Sequence, residues 1–157
     1  WKAENGTHFV RGRIFDKYGS TGYERGSLGY PTSDEYAVAS GRAQEFEAGV
    51  ISTSNSGTYV LRYGTGIANA YRDLGGAKEL GVTRSAETNS GKGVFQLFDK
   101  GTAYWSPTTG SHFVRGHIFE AYGRSGYERG GYGYPTSDEF WSGGSRVQYF
   151  EGGRIAS

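Results

Sequence analysis

The residues best suited to chemistry are two carboxylate pairs, Asp34-Glu35 and Asp138-Glu139, and two histidines, His8 and His112. Each carboxylate pair ends the same run, Tyr-Pro-Thr-Ser-Asp-Glu. Two carboxylates can hydrolyse a glycosidic bond when they flank it. Adjacent residues on an extended chain point to opposite faces, however, so these would not naturally face one bond. A Thr-Ser-Asp-Glu run after a proline is better suited to accepting backbone N–H groups at a turn or helix start. Ser33, His8 and Asp34 spell a nucleophile, a base and an acid, yet no glycine-flanked elbow surrounds Ser33. His117 is the one further histidine, its counterpart is Arg13, and the chain has no cysteine. No metal site and no cofactor are therefore expected. The expected partner of His8 and of His112 is an Asp-Glu turn of its own or the next unit. Catalytic constellations seldom recur intact within a small domain, whereas turn chemistry recurs with every copy of a fold. The expectation is a non-enzyme.

Arginines and aromatics carry the remaining signal. Arg11 and Arg115 each precede a glycine, and Arg25 and Arg129 lie in Tyr-Glu-Arg-Gly. Beside so many carboxylates they would make ion pairs that stitch units together, or present a planar fork to a sugar hydroxyl or uronate. Tyr30, Tyr134 and Trp141 sit in loops rich in Gly, Ser and Thr, and Trp1 and Trp105 at the starts of units. A rigid amphipathic ring beside hydrogen-bonding groups suits the apolar C–H face and polar rim of a pyranose. The competing expectation is that these rings pack where units meet. The candidate ligand contacts are thus His8, Arg11, Tyr30, Asp34, Glu35, Trp105, His112, Arg115, Tyr134, Asp138, Glu139 and Trp141.

The elements that must position these residues follow from an internal repeat. His8 maps to His112, Tyr30 to Tyr134, Gln44 to Gln148 and Glu47 to Glu151, all at a shift of 104 without a gap. Half that shift carries Gly12 to Gly64, Glu35 to Glu87, Gln44 to Gln96 and Phe46 to Phe98. Units of roughly 1–52, 53–104 and 105–157 result. In each, a short β stretch (His8–Val10) leads into one or two helical turns, with Ile14, Phe15 and Tyr18 at helical spacing and Gly19 as a stop. A glycine-punctuated loop follows, then a hairpin, Arg42–Phe46 and Val50-Ile51 about a Gly49 turn. With 28 glycines and 25 aromatic residues (13 Tyr, 9 Phe, 3 Trp), many short strands and aromatic cores are favoured over long helices. A net charge of +1, with arginines interspersed among glutamates, gives no footprint for nucleic acid. No run approaches the length of a membrane-spanning helix, so membrane insertion is not expected. No signal peptide precedes Trp1, so an exported protein would be read as a mature fragment.

Leu28-Gly29-Tyr30-Pro31-Thr32-Ser33-Asp34-Glu35, followed by Gln44-x-Phe46-Glu47-x-Gly49-x-Ile51, resembles the LGFP repeat. So do Tyr132–Glu139 and Gln148–Ile155, each led by a His-x-Val-x-Gly-x-Ile pattern (His8–Ile14, His112–Ile118). The middle unit departs: Val82–Glu87 replaces Tyr-Pro-Thr-Ser-Asp-Glu, and Val60 replaces histidine. Whatever the loop does in the outer units, the middle unit is expected to do poorly. The resemblance implies small β units strung into a stalk on envelope proteins of mycolic-acid bacteria, where they attach to wall polysaccharide, in places appended to a catalytic domain of a longer parent. It implies a secreted or envelope-associated location. The expected fold is mainly β with short helical turns, three units stacked in an array; three units of this size could alternatively close into a β-trefoil. The expected function is non-catalytic, lectin-like binding of a cell-wall or cell-surface glycan. A structural spacer without a specific ligand is the alternative, and a small wall hydrolase the remote one.

Overall fold

The computed structural model describes residues 1–157. It is mainly β, an open array of three separate antiparallel meanders with no closed barrel. The first sheet runs β1 (Tyr36–Val38), β2 (Gly41–Phe46), β3 (Gly49–Ser54), β4 (Gly57–Arg62). The second runs β5 (Thr88–Ser90), β6 (Gly93–Phe98), β7 (Gly101–Ser106), β8 (Gly110–Val114). The third holds only β9 (Phe140–Ser142), β10 (Ser145–Phe150) and β11 (Gly153–Ala156). The trefoil alternative fails because each meander stays an independent sheet. No helix is long and apolar enough to cross a membrane.

Helix α1 (Gly12–Ser20) precedes the first sheet, α2 (Gly66–Asp73) and α3 (Gly76–Leu80) link it to the second, and α4 (Gly116–Arg124) links the second to the third. The apolar spacing read from the sequence works as expected: Ile14, Tyr18, Ile118 and Tyr122 are the buried residues of α1 and α4. α4 packs between two sheets, in a core that joins Tyr104 and Val114 of the second sheet to Phe150 and Ile155 of the third. α2 likewise sits among Val50 and Leu61 of the first sheet and Phe98 and Phe113 of the second. α1 contacts one sheet only, and its core is the smallest, Ile14, Tyr18, Leu28, Phe46 and Ile51. A unit of about fifty residues cannot bury a sheet face alone; stacking neighbours makes each core continuous.

The last strand of each four-stranded sheet belongs, by sequence, to the unit that follows. His112, Phe113 and Val114 form β8, paired to β7 with Ala103 opposite Phe113 and Tyr104 opposite His112. The same segment of the first unit, His8–Val10, is not a strand here, because no preceding sheet is present to pair with it. A cut at 52/53 falls inside β3. The 52-residue period holds, while the packing unit is a meander plus the helix on each side.

Candidate functional site

Three loops equivalent by sequence, starting at Gly29, Gly81 and Gly133, bring the candidate residues to the ends of β2, β6 and β10. All three glycines lie at positive φ, +68°, +78° and +64°. A Cβ there would also meet a carboxylate side chain, Glu47, Asp99 or Glu151, at 2.3 to 2.5 Å. That carboxylate accepts the next backbone N–H in every unit: Tyr30 to Glu47 at 2.9 Å, Val82 to Asp99 at 3.0 Å, Tyr134 to Glu151 at 2.9 Å. Downstream, the loop serine accepts a strand N–H, Glu45 to Ser33, Leu97 to Ser85 and Tyr149 to Ser137, each at 3.0 Å. The serines thus hold the turn against the strand.

A buried glutamine fixes the loop against the preceding β stretch. Gln148 Nε2 donates to the carbonyls of Phe113 (3.1 Å) and Ser137 (2.8 Å). Gln44 does the same to Phe9 and Ser33, and Gln96 to Val60 and Ser85. Its presence in all three copies was visible in the sequence, but its bridging role was not.

On this frame the twin units assemble a polar chain. His112 Nε2 donates to the Thr109 carbonyl at 3.0 Å, and its Nδ1 lies 3.4 Å from Asp138. Asp138 also accepts the Phe113 N–H at 3.1 Å. Burial pushes the Asp138 carboxyl up, but the His112 imidazole, the Phe113 N–H and the Arg115 charge outweigh it and leave a net shift below the ordinary range. Glu139 follows, held between Arg115 (3.7 Å) and Arg146 (3.4 Å). The Arg146 guanidinium lies 4.8 Å from the centre of the Trp141 ring, which is 64 % exposed. His112, Asp138, Glu139, Arg115, Arg146 and Trp141 therefore form one connected surface. In the first unit His8 contacts Asp34 at 3.1 Å and the Asn5 carbonyl at 2.6 Å, and Glu35 pairs with Arg42. Arg11 lines the same groove as Glu35 and Arg42 without an ion pair. Ala37 replaces Trp141 there, opposite Arg42 as Trp141 is opposite Arg146.

Two candidate aromatics belong elsewhere. Tyr134 is 1 % exposed, and its hydroxyl donates to the Ser90 carbonyl across the junction of the second and third units. Trp105 packs on the middle core and covers Gly66, where a Cβ would sit 1.8 Å from its ring. Both are junction residues, for the reason that ring area is what closes a core between two glycine-rich units. Tyr30, the twin of Tyr134, is only half-buried because no preceding unit covers it. Arg42 and Arg146 were missed by sequence reasoning. The signal existed, since both twins carry the arginine and the middle unit has Val94.

The middle unit holds a different surprise. Where Val60 and Ala86 replace the histidine and aspartate, a cleft of about 390 Å³ opens between α1 and β4, lined by Lys17, Tyr59, Arg62, Glu87 and Gln96 among others. Beside Asp138 and Glu139 of the third unit lies a smaller cleft of about 160 Å³, lined also by Leu80, Phe113 and Arg115.

A family model described as LGFP repeat matches residues 1–26, 28–79 and 80–130. No curated protein matches the chain.

Proposed function

The chain belongs to the LGFP repeat family, and from that premise we propose that it is a non-catalytic, lectin-like protein that attaches to wall or surface polysaccharide. The observation that carries the reading is the exposed Trp141 ring beside Arg146, continuous with Glu139, Arg115 and Asp138. A sugar ring can lay its C–H face on the indole while its hydroxyls bond the carboxylates and guanidinium groups. The cleft beside them, about 160 Å³, is smaller than the roughly 300 Å³ at which pockets enclose a small molecule. The site is therefore a platform for one or two residues of a long chain and not a pocket for a free sugar. Such a site is weak alone and gains from repetition along a polymer. The first unit repeats the His-Asp and Glu-Arg pairs without the indole and would contribute less.

The location in the cell follows the same reasoning: LGFP repeats are typical of envelope proteins, and a wall polysaccharide is met only after export. A glycan array and co-sedimentation with insoluble wall polysaccharide test the reading, with Trp141→Ala and Asp138→Asn as loss variants. Ala37→Trp, which restores the Trp–Arg pair in the first unit, is the gain variant. Saturable binding, lowered about tenfold by the first variant and raised by the third, supports the proposal. Equal retention of all variants would move binding away from this surface, and no retention on any glycan would leave only a spacer.

A further inference from the structure

We propose that the cleft between α1 and β4 is a second binding site, one that takes a saccharide residue carrying a carboxylate. Its volume, about 390 Å³, passes the roughly 300 Å³ at which pockets enclose a small molecule. Three charged side chains line it, Lys17, Arg62 and Glu87, and none of them takes part in an ion pair of the chain. The turn before β4 is one residue shorter than the turn before β8, so the sheets match Gly57–Arg62 to Gly110–Arg115. Tyr59 thus stands in space where His112 does, although the 52-residue shift sets Val60 there. Its hydroxyl donates to the Ser56 carbonyl at 2.9 Å, as His112 donates to Thr109. Arg62 likewise takes the place of Arg115, and Glu87 is the counterpart of Glu139. In the third unit Arg115 and Arg146 hold Glu139. In the middle unit Val94 replaces Arg146, and Arg62 and Glu87 do not pair, which leaves both charges to a ligand.

The buried end of the cleft calls for a hydrogen-bond donor. Gln96 is 1 % exposed, and its Nε2 donates both protons, to the Val60 and Ser85 carbonyls. Its Oε1 accepts no hydrogen bond. The same oxygen is sealed in Gln44 and Gln148, whereas that of Gln96 keeps a small opening, on the cleft that the side chain lines. Lys17 and Arg62 attract an anion, while Glu87 and Gln96 Oε1 are acceptors that would repel a sulfate or phosphate. The fitting ligand has one carboxylate and, a few ångströms away, O–H or N–H donors, which is the pattern of a sugar acid. An amino acid has the same two ends, and the choice of the sugar rests on the lectin reading above. An adjoining hollow shares Lys17 and Ser20 and adds Arg13, Asp16 and Thr58, so a polymer can continue beyond one residue. A repeat placed before the first would leave the cleft open. α4 has a repeat before it, and its matching positions Ala121, Arg124 and Ser125 are as accessible as Lys17, Ser20 and Thr21.

Heteronuclear NMR of the full chain tests this, with sodium D-glucuronate, D-glucose, glycine and sodium sulfate titrated in turn. Glucuronate should shift the Gln96 side-chain amide and the backbone amides around Lys17, Arg62 and Glu87 saturably, with a dissociation constant of about 1–10 mM. Glucose, which lacks the carboxylate, should bind at least about fivefold more weakly, as should glucuronate to Lys17→Gln or Arg62→Gln. Ala86→Asp, at an exposed position, sets a carboxylate in the cleft and should weaken glucuronate at least about tenfold with unchanged circular dichroism. Trp141→Ala should leave this titration unaltered, so failure here and failure of polysaccharide binding at Trp141 are read separately. No saturable shift at Gln96, equal shifts with glucose or with sulfate, or tighter binding of glycine than of glucuronate would each overturn the proposal.

Discussion

Replacing Gln148 by leucine removes the clamp that holds β8 to the third loop while keeping the shape of the side chain. Gln148 is fully buried, and its two donated bonds serve the carbonyls of Phe113 and Ser137. Leaving a buried polar group without its partner costs about 1–3 kcal/mol, so two orphaned carbonyls cost about 2–6 kcal/mol. Against this, Gln148 Oε1 is itself buried without a partner, and deleting it returns about 1–3 kcal/mol. Midpoints of about 4 and about 2 kcal/mol leave Gln148→Leu destabilising by about 2 kcal/mol. For a chain of this size that lowers Tm by roughly 4–8 °C, measurable by scanning calorimetry or circular dichroism. Because the clamp also sets His112 against Asp138, amide exchange should rise in residues 112–114 and 136–139 more than elsewhere. A Tm equal to or above that of the parent protein would refute the reasoning, since it would mean that relief of the orphaned oxygen outweighs both bonds.

Three other outcomes follow from the geometry. Tyr134→Phe deletes a bond to a buried carbonyl and should cost about 1–3 kcal/mol, whereas Tyr30→Phe, on the uncovered twin, should stay within about 0.5 kcal/mol in urea denaturation. Gly66→Ala forces a Cβ onto Trp105 and should cost about 1–3 kcal/mol with a changed near-ultraviolet dichroism; an unchanged spectrum would count against the packing. Acid should destabilise the array at its carboxylates. Glu47 is held at about 2 by the Lys2 ammonium, the Tyr30 N–H and Asn5. Glu151 is lowered by Lys92 and the Tyr134 N–H. For Asp138 and Asp99 burial raises the pKa, but their hydrogen bonds outweigh it and lower it overall. A carboxyl lowered in the folded state stabilises it above the unfolded value, and that stability is lost as pH falls through the folded one. Tm should therefore be flat just above pH ~4.5 and fall from there towards pH ~2; a Tm constant down to pH ~2 would contradict the loop carboxylates' role.

The hairpins and helical turns were legible because each has its own periodicity: Gln44 and Phe46 alternate into the core, and Ile14 and Tyr18 fall on one helix face. The His-Asp contact was legible because both residues are kept in the twins and lost together at Val60 and Ala86. The phase of the packing unit was not, since a repeat reads the same from any starting point and only strand pairing shows that β4 and β8 are lent to the sheet before them. For the same reason Tyr134 looked like a loop aromatic: its burial comes from Ser90 and Gly93 of the neighbouring unit, and its identical twin Tyr30 stays half-open. The cleft at the middle unit was illegible in a different way. Its lining comes from α1 of the first unit together with residues of the middle unit, so neither repeat's sequence signals the space.

The most direct test of the central claim is a binding isotherm on insoluble wall polysaccharide for the parent chain beside Trp141→Ala, a substitution at a largely exposed position that leaves the cores untouched. The account predicts saturable retention of the parent and a dissociation constant about tenfold higher for the variant, the size of one aromatic–sugar contact of roughly 1.4 kcal/mol. Retention with identical isotherms for the two proteins, or no retention of either, would contradict it.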